Sequence, residues 1–392
     1  MAGVISRGIR GPIIREGDDI VDIVVNSVYA SEQADGYTLQ DRDVIAVTES
    51  VVARAQGNYV TVDQVAQDIR NKFPAKKLGL VFPILSRNRF SMCLKGIARA
   101  MDEVVILFSY PNDEVGNPLM VRSAYLKNRY SGVYDFQEAD FVKTFGSPVH
   151  PFTGVNYLDF YREVIESEGA KATFLFSNDC RYIASFCDQV LCCDIHTRQR
   201  SKRLLKKAGA RVVLGLDDLL TAPVNGSGYN PQYGLLGSNK ADDTRVKLFP
   251  RDADVVAEAI GQRLSEATGK RIEAMVYGDG AFKDPVGQIW ELADPVVSPA
   301  YTAGLAGKPN ELKLKFLADN DFADLSGEAL QEAIRQEIKA KNADLVGDMS
   351  SEGTTPRQYT DLLGSLCDLT SGSGDKGTPF IVIQNYFTNY AE

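Results

Sequence analysis

Short apolar segments alternate with segments of helix length in the middle of the chain, and this alternation restricts the fold more than any other feature. The predicted elements of this part are strand Glu103–Ser109, helix Asn156–Glu168, strand Lys171–Ser177, helices at 181–190 and 197–208, and strand Arg211–Gly215. Strands separated by helices form βαβ units and therefore a parallel sheet. We predict an α/β layer over residues 102–220.

The two ends of the chain are predicted to form a separate unit. The predicted elements are strand Asp43–Thr48, helix Val62–Phe73 capped by Thr61, a βαβ unit from Val246 to Tyr277, helices Ser326–Ala343 and Arg357–Leu366, and strand Phe380–Gln384. A chain of 392 residues exceeds one ordinary hydrophobic core. We expect a core built from residues 1–101 and 221–392, into which 102–220 are inserted as an α/β domain.

Charge and composition exclude several classes of protein. A formal net charge of -9 disfavours generic nucleic-acid binding, because a basic surface is needed to displace phosphate counterions. The one basic run, residues 198–207, has helical spacing and is interpreted as a solvated helix face, with an anion site as the alternative. The chain shows neither an apolar run of about 20 residues nor a signal peptide. We therefore expect a cytoplasmic protein that is not membrane-bound, with six reduced cysteines.

One segment with the composition of a metal site follows the predicted strand that ends at Tyr277. Asp279 stands between two glycines, and Lys283 and Asp284 come shortly after it. Hard divalent cations prefer oxygen ligands, and glycine lets the backbone come close to them. Lys283 has the charge to neutralise a transferring phosphoryl group. The alternative is an ordinary Asp-Gly turn.

A second segment, residues 370–379, is rich in glycine and serine and contains Lys376. Such a loop can form a nest of backbone N–H groups for phosphates. It is not a Walker A motif, because the GxxxxGK[ST] spacing is absent and a strand follows instead of a helix. A flexible surface turn is the alternative.

A third segment, Cys193–Arg198, places Asp194 two residues before His196. These two residues suit an acid/base pair or a pair of metal ligands. The chain has only two histidines, and the cysteine spacing does not match a structural zinc site. A helix N-terminal cap is the alternative interpretation.

The order of these segments resembles the coenzyme F420 gamma-glutamyl ligase family. Residues 10–19 look like the segment with which the family begins. Residues 41–57 are similar to the family's next segment, in which a strand leads into Thr-Ser-Lys-Val-Val-Ser-Lys. Ser238-Asn239 resembles its Asp-Glu-Ser-Asn segment, Gly278-Asp279-Gly280 stands where it has Ser/Thr-Asp-Ser/Thr, and residues 377–383 resemble its closing strand. The resemblance covers about 1–95 and 232–392, and it implies an α+β core of the gamma-glutamyl ligase type.

The resemblance also implies substrates and site residues. It implies a homodimer that uses GTP or ATP with Mg²⁺ or Mn²⁺ to join L-glutamate to a small-molecule carboxylate. Asp279 would hold the metal, and Lys283 and Asp284 would be catalytic. The residues that would line the nucleotide are Pro12, Ile13, Ile14, Glu49, Ser50, Arg54, Asn239, Ser371, Gly372, Ser373, Gly374, Asp375, Lys376 and Gly377.

The chain departs from the family pattern at several of these positions. Ser50 and Arg54 replace lysines, glycines flank Asp279 in place of hydroxyl residues, and Leu236 replaces a metal-binding aspartate. The candidates to supply the lost carboxylate are Asp284, Asp194 and Asp179. The candidates to bind the anionic groups of a second substrate are Arg87, Arg89 and Lys95.

Three functions follow from this pattern. The first is the nucleotide- and metal-dependent ligase, which proceeds through an acyl phosphate. The second is a non-catalytic ligand-binding or regulatory protein on the same scaffold, which Leu236 favours. A dehydrogenase is the third, although no GxGxxG motif follows a predicted strand of the α/β layer.

Overall fold

The structure, a computed structural model, describes residues 3–87, 89–128, 132, 134–151, 153–278, 299–354, 357–371 and 375–392. Its strands are β1 (Ile5–Ile9), β2 (Val44–Thr48), β3 (Tyr59–Thr61), β4 (Lys77–Val81), β5 (Glu103–Phe108), β6 (Phe136–Gln137), β7 (Lys171–Phe176), β8 (Gln189–Cys192), β9 (Val212–Gly215), β10 (Asn239–Lys240), β11 (Arg245–Lys247), β12 (Glu273–Tyr277), β13 (Ala300–Tyr301) and β14 (Phe380–Gln384). Its helices are α1 (Ile20–Asp35), α2 (Glu49–Ala55), α3 (Val62–Lys72), α4 (Phe90–Ala100), α5 (Arg122–Asn128), α6 (Glu138–Phe145), α7 (Tyr157–Ser167), α8 (Arg198–Lys207), α9 (Ala253–Thr268), α10 (Leu314–Phe316), α11 (Gly327–Ala340) and α12 (Tyr359–Thr370).

A five-stranded sheet combines strands from both ends of the chain, in the order β1-β14-β2-β12-β13. β2 and β12 are parallel, and the other neighbours are antiparallel. Helices α1 and α9 pack on one face of this sheet, where Val24, Val28 and Ile260 belong to its hydrophobic core. Helix α12 packs on the other face through Leu363 and Cys367. The chain ends therefore share one core.

A six-stranded sheet has the order β6-β7-β5-β4-β8-β9, and its strands are parallel except for the short β6. Helices α3, α4 and α7 pack on one face. A 3-10 helix, Cys180–Ser185, and α8 pack on the other face. The parallel α/β layer expected from the alternation of strands and helices is therefore present, and the fold is a mixed α/β fold with parallel and antiparallel sheets.

The boundary of this layer differs from the expected one. β4, at residues 77–81, lies between β5 and β8 in the middle of the sheet, although the layer was predicted to begin at residue 102. The strand is short and contains Gly79. A Cβ atom added at this glycine would lie 2.8 Å from the side chain of Ile183. The sheet thus begins at residue 77, before the predicted boundary at 102, and the division of the chain into domains stays a prediction.

Two other expectations about elements were wrong. Residues 181–190 form a short 3-10 helix followed by β8, because a four-residue buried strand has no periodicity that distinguishes it from a helix. The segment from Val246 to Tyr277 is not one βαβ unit, because β11 pairs with β3 while β12 joins the five-stranded sheet.

A three-stranded sheet, β10-β11-β3, links the two larger sheets. Val60 faces Val246 in this pairing, and the Val62 amide donates to the Thr244 carbonyl at 2.9 Å. Next to it, the Asn58 side-chain amide donates to the Phe249 carbonyl at 2.6 Å. The chain therefore leaves the three-stranded sheet at Val62 and returns to it at Thr244, two residues that are hydrogen-bonded to each other.

Other local features agree with the sequence. Thr61 caps α3 in a capping box with Gln64, as the residue types predict. All six cysteines are buried thiols. None of the helices in the described ranges combines the length and the apolar character that a transmembrane segment requires.

Candidate active site

Three of the segments predicted to bind a nucleotide meet at one edge of the five-stranded sheet. Thr48 ends β2 directly opposite Tyr277, the last residue of β12. The Thr48 amide donates to the Pro379 carbonyl at 3.1 Å, and the Gly11 amide donates to the Gly377 carbonyl at the same distance. The ends of β1, β2 and β12 and the start of β14 therefore lie side by side.

Glycine is required where the chain leaves β1. A Cβ at Gly11 would lie 2.8 Å from the Phe380 ring and 3.0 Å from Pro379. The backbone thus passes flat against the start of β14, which brings Pro12 to the edge. Ile13 is 79% exposed there, whereas Ile14 is buried in the core and can offer a ligand only its backbone.

A groove of about 680 Å³ runs beside this segment, between the end of β1 and α1. Arg10 and Pro12 line one side, and Asn26, Ser27 and Asp35 line the other. The groove therefore combines polar groups of both charge signs with a volume in the range of ligand pockets, roughly 300–1,000 Å³.

The predicted nucleotide contact Glu49 takes part in a buried ion pair in the structure. Its carboxylate is buried at the start of α2 and lies 3.1 Å from the ammonium group of Lys247, which is also buried. Lys247 pairs with Asn239 across β10 and β11. The ion pair thus connects α2 to β11, the neighbour of the strand that carries Asn239, and the nucleotide contact of Glu49 stays a prediction.

The remaining predicted residues are distributed as follows. Ser50 and Arg54 are exposed on α2, and Asp375, Lys376 and Gly377 are exposed at the same sheet edge. Ser371 is half-buried after α12. Gly372, Ser373 and Gly374 lie outside the described residues, as do Asp279, Lys283 and Asp284.

The described residues alone do not supply a metal site. In the ranges that the structure covers, no group of three or more His, Cys, Asp or Glu residues could hold a metal ion. Glu49 is neutralised by Lys247, and Leu236 packs against the hydrophobic core beside the α/β layer. The metal site predicted at Asp279 lies outside the described residues and stays a prediction.

The resemblance to a ligase family extends over nearly the whole chain. A family model described as F420-0:gamma-glutamyl ligase matches residues 8–385. The chain belongs to this family. No curated protein matches the sequence significantly. The family match also covers the α/β layer, which the sequence motifs alone did not connect to the ligase.

Within this ligase-family chain, Asp194 and Asp179, two of the candidates to replace the aspartate lost at Leu236, are both held by neighbouring side chains. The Asp194 carboxylate accepts hydrogen bonds from the Thr197 and Ser201 hydroxyls, both at 2.7 Å, and burial raises its pKa. The Asp179 carboxylate is held by Arg181, which lowers its pKa. Leu236 itself lines a small apolar crevice together with Cys193 and Ile195, the residues before and after Asp194.

The Asp194–His196 segment is organised around the start of α8. His196 is exposed, and the amides of residues 195, 196 and 197 all donate to the Glu114 carboxylate at 2.6–3.0 Å. Asp194 is bound to hydroxyls of the same helix start. The Asp194 carboxylate thus contacts hydroxyl groups, the N-cap residue Thr197 makes no side-chain capping hydrogen bond, and the acid/base pair and the helix cap both stay predictions.

The three cations suggested for a second substrate have separate surroundings. Arg89 lines the apolar crevice beside Leu236. The Lys95 ammonium lies 3.9 Å from the Glu168 carboxylate. Arg87 lies near the buried His150, whose pKa is lowered by burial and then by that arginine. A common anion site formed by all three stays a prediction.

The burial of Lys247 in an ion pair was not predicted, although the sequence around this residue indicates it. A lysine interrupts the apolar run Val246–Phe249, and a buried lysine needs an anionic partner. The partner could not be named from the sequence, because Glu49 is almost 200 positions away.

Proposed function

We propose that this member of the gamma-glutamyl ligase family uses GTP or ATP and a divalent cation to form an amide bond between the amine of L-glutamate and a small-molecule carboxylate. The observation that carries the proposal is the meeting of residues 10–14, α2 and residues 375–379 at one edge of the five-stranded sheet. β12 ends at the same edge, one residue before Gly278 and two before Asp279.

Each described segment has a defined task in this proposal. The exposed residues 375–377 provide backbone amides and the Lys376 charge for the phosphates. The Glu49–Lys247 pair holds Asn239 at the edge. A bound Mg²⁺ or Mn²⁺ would neutralise phosphate charge at Asp279.

The chemistry proceeds in two transfers. An oxygen of the acceptor carboxylate attacks the terminal phosphorus, and the nucleoside diphosphate leaves. The glutamate amine then attacks the activated carbonyl carbon and expels inorganic phosphate, which forms the amide. Lys283 would offset the charge that builds up on the phosphoryl oxygens.

A turnover assay tests the proposal. The protein is incubated with GTP or ATP, Mg²⁺ or Mn²⁺, L-glutamate and a panel of carboxylate acceptors, and products are identified by mass spectrometry. Asp279→Asn should lower metal-dependent turnover by at least about a hundredfold. Asp102→Asn, on an exposed turn before β5, serves as the matched control and should keep its activity.

Lys376→Ala provides a second arm at a described residue. It should weaken triphosphate binding by about 1.5–3 kcal/mol, because a charge-assisted phosphate contact is lost. Lys313→Ala, at an exposed position before α10, should leave binding unchanged. Equal affinity of both variants in calorimetry would remove the terminal loop from the proposal.

A second candidate function is a nucleotide- or ligand-binding protein without turnover. Leu236 favours it, because an apolar side chain packed on the hydrophobic core stands where the family has a metal-binding aspartate. Saturable triphosphate binding without metal-dependent hydrolysis or product would support this alternative against the ligase.

A further inference from the structure

The strand order of the six-stranded sheet creates a crevice between β4 and β8. From β4 the chain adds β5 and β7 on one side, and it then adds β8 and β9 on the other. Open parallel sheets bind ligands at the carboxyl ends of their strands where the order reverses in this way. This position belongs to the six-stranded sheet, whereas the candidate active site lies at an edge of the five-stranded sheet.

A cavity of about 250 Å³ lies at this position. Phe82, directly after β4, forms one wall, and Thr197, Arg200 and Ser201 at the start of α8 form another. Drug-sized ligands occupy larger pockets, roughly 300–1,000 Å³. The volume favours a small metabolite over a nucleotide.

The charges that line the cavity leave one positive charge in excess. Arg181 holds Asp179 through two contacts, Nε to Oδ1 at 2.9 Å and Nη2 to Oδ2 at 2.5 Å. Arg200 also lines the cavity near Asp179, and the described part of the chain shows no ion pair for it within salt-bridge distance. Two guanidinium groups therefore face one carboxylate, which suits an anionic ligand.

Two hydroxyl groups of the cavity are oriented as acceptors. Thr197 and Ser201 donate their hydrogens to one oxygen of Asp194, which is fully buried. Its other oxygen accepts no hydrogen bond from the described residues. Because the hydroxyl hydrogens are used, the oxygens of Thr197 and Ser201 can accept from a ligand hydroxyl or ammonium group.

Three backbone amides directly before α8 do not take part. Glu114 accepts hydrogen bonds from the amides of residues 195–197. These amides are not available to an anionic ligand, and Arg200 is the lining cation on which binding is expected to depend.

We propose that this cavity is a second binding site, for a small molecule with a carboxylate or phosphate group on Arg200 and a neighbouring hydroxyl or ammonium group on Thr197 and Ser201. The site does not depend on the ligase proposal. Its test is binding in the absence of nucleotide, so that failure of either proposal leaves the other intact.

Isothermal titration calorimetry of the full chain with inorganic phosphate, succinate and malate tests the site. Malate should bind at least about fivefold more tightly than succinate, because only malate has a hydroxyl to donate to Thr197 or Ser201. Arg200→Gln should weaken binding at least about tenfold. Arg203→Gln is the matched control on the same helix, exposed and outside the cavity lining, and it should bind like the unmodified chain.

Leu204→Phe provides an independent check, because Leu204 lines the cavity and a larger ring would fill it. It should abolish binding, while the thermal melting transition shows that the variant is folded. Preference for phosphate or for malate would distinguish a phosphate ester from a hydroxy acid as the natural ligand, and either result supports the site. Failure of all three probes to bind saturably, or equal weakening by Arg200→Gln and Arg203→Gln, would overturn the proposal.

Discussion

At the scale of single residues, the buried pair Glu49–Lys247 shows how the candidate active site is held together. Both side chains are less than 10% exposed, and the ammonium lies 3.1 Å from the carboxylate. Removal of one partner from a buried pair costs more than the pair itself contributes, because the other charge stays in a medium of low polarity.

Lys247→Met should therefore lower the free energy of unfolding by about 3–5 kcal/mol in urea denaturation. The double variant Glu49→Gln/Lys247→Met should recover a large part of this loss, because no unbalanced charge is left buried. Lys240→Met, which breaks an exposed pair with Asp243, is the control and should change stability by less than about 1 kcal/mol. Similar losses for the two single variants would show that the buried pair has no special role.

Asp113 supplies a prediction about pH. Burial raises the pKa of Asp113 to about 6, although its carboxylate accepts hydrogen bonds from Leu85 and Asn117. An unfolded aspartate has a pKa of about 3.9, so the folded chain binds the proton more tightly. This contribution to stability is complete below pH 4 and is lost as the pH rises through about 6, with a magnitude on the order of 3 kcal/mol at most.

Asp113→Asn should remove this dependence, so that the difference in unfolding free energy between it and the unmodified chain changes between pH 4 and 6.5. Denaturation curves across this range measure it. Asp102→Asn, at an exposed position, should keep the original profile. A parallel pH profile for Asp113→Asn would mean that Asp113 is ionised throughout this range.

At the scale of helices and strands, the sequence predicted long or well-capped elements better than short buried ones. Helix α7 begins after Asn156, whose side chain accepts a hydrogen bond from the Leu158 amide. Asparagine is a preferred N-cap residue, so the sequence indicated this helix start. Strands β4 and β8 were missed, because each has a run of four buried residues without alternation, which carries no distinct period. Their place in the sheet is decided by distant partners.

The same limit applies to the candidate active site. The family resemblance of residues 10–19 and the glycine- and serine-rich composition of residues 370–379 predicted segments that the structure brings to one sheet edge. The burial of Glu49 and the role of Lys247 could not be predicted, because they depend on the pairing of β11 with β3. Asp279, Lys283 and Asp284 lie outside the described residues, so their roles stay predictions.

Tyr161 on α7 anchors the loop that follows β4. Its hydroxyl donates to the Ile84 carbonyl at 2.8 Å and accepts from the Ser86 amide at 3.0 Å. Tyr161→Phe should cost about 1–3 kcal/mol, because both backbone groups lose a buried partner, and the Ser86 amide should exchange its hydrogen faster. Hydrogen exchange and urea denaturation measure the two effects.

Tyr182→Phe is the control for this change, since that ring packs against Phe186 on the opposite face of the six-stranded sheet. It should alter stability by less than about 0.5 kcal/mol. Unchanged exchange at Ser86 in Tyr161→Phe would show that the loop is held by other contacts.

At the scale of the whole molecule, the last strand is central and not peripheral. β14 lies between β1 and β2, and all five of its residues are buried. Burial of each large apolar side chain contributes about 1.5–3 kcal/mol. The four apolar residues of β14 together therefore match the roughly 5–15 kcal/mol by which a domain is stable.

Removal of residues 380–392 should consequently abolish cooperative folding of the five-stranded sheet. Thermal unfolding followed by near-ultraviolet circular dichroism should show no transition for this sheet. Removal of residues 390–392 alone is the control and should leave the transition in place, because these residues are largely exposed. A cooperative transition of normal amplitude in the shorter chain would contradict the central role of β14.

The hydrogen bond between Val62 and Thr244 has a consequence for how this family can diversify. Residues 62–244 leave the three-stranded sheet and return to it, so the two ends of this stretch lie next to each other. A gene can therefore lengthen, shorten or replace that stretch in a single event, while the register of β1, β2, β12 and β14 stays as it is. A new recognition layer can in this way be acquired while the sheet edge stays in place, provided that the replaced stretch ends before Asn239, which lies within residues 62–244.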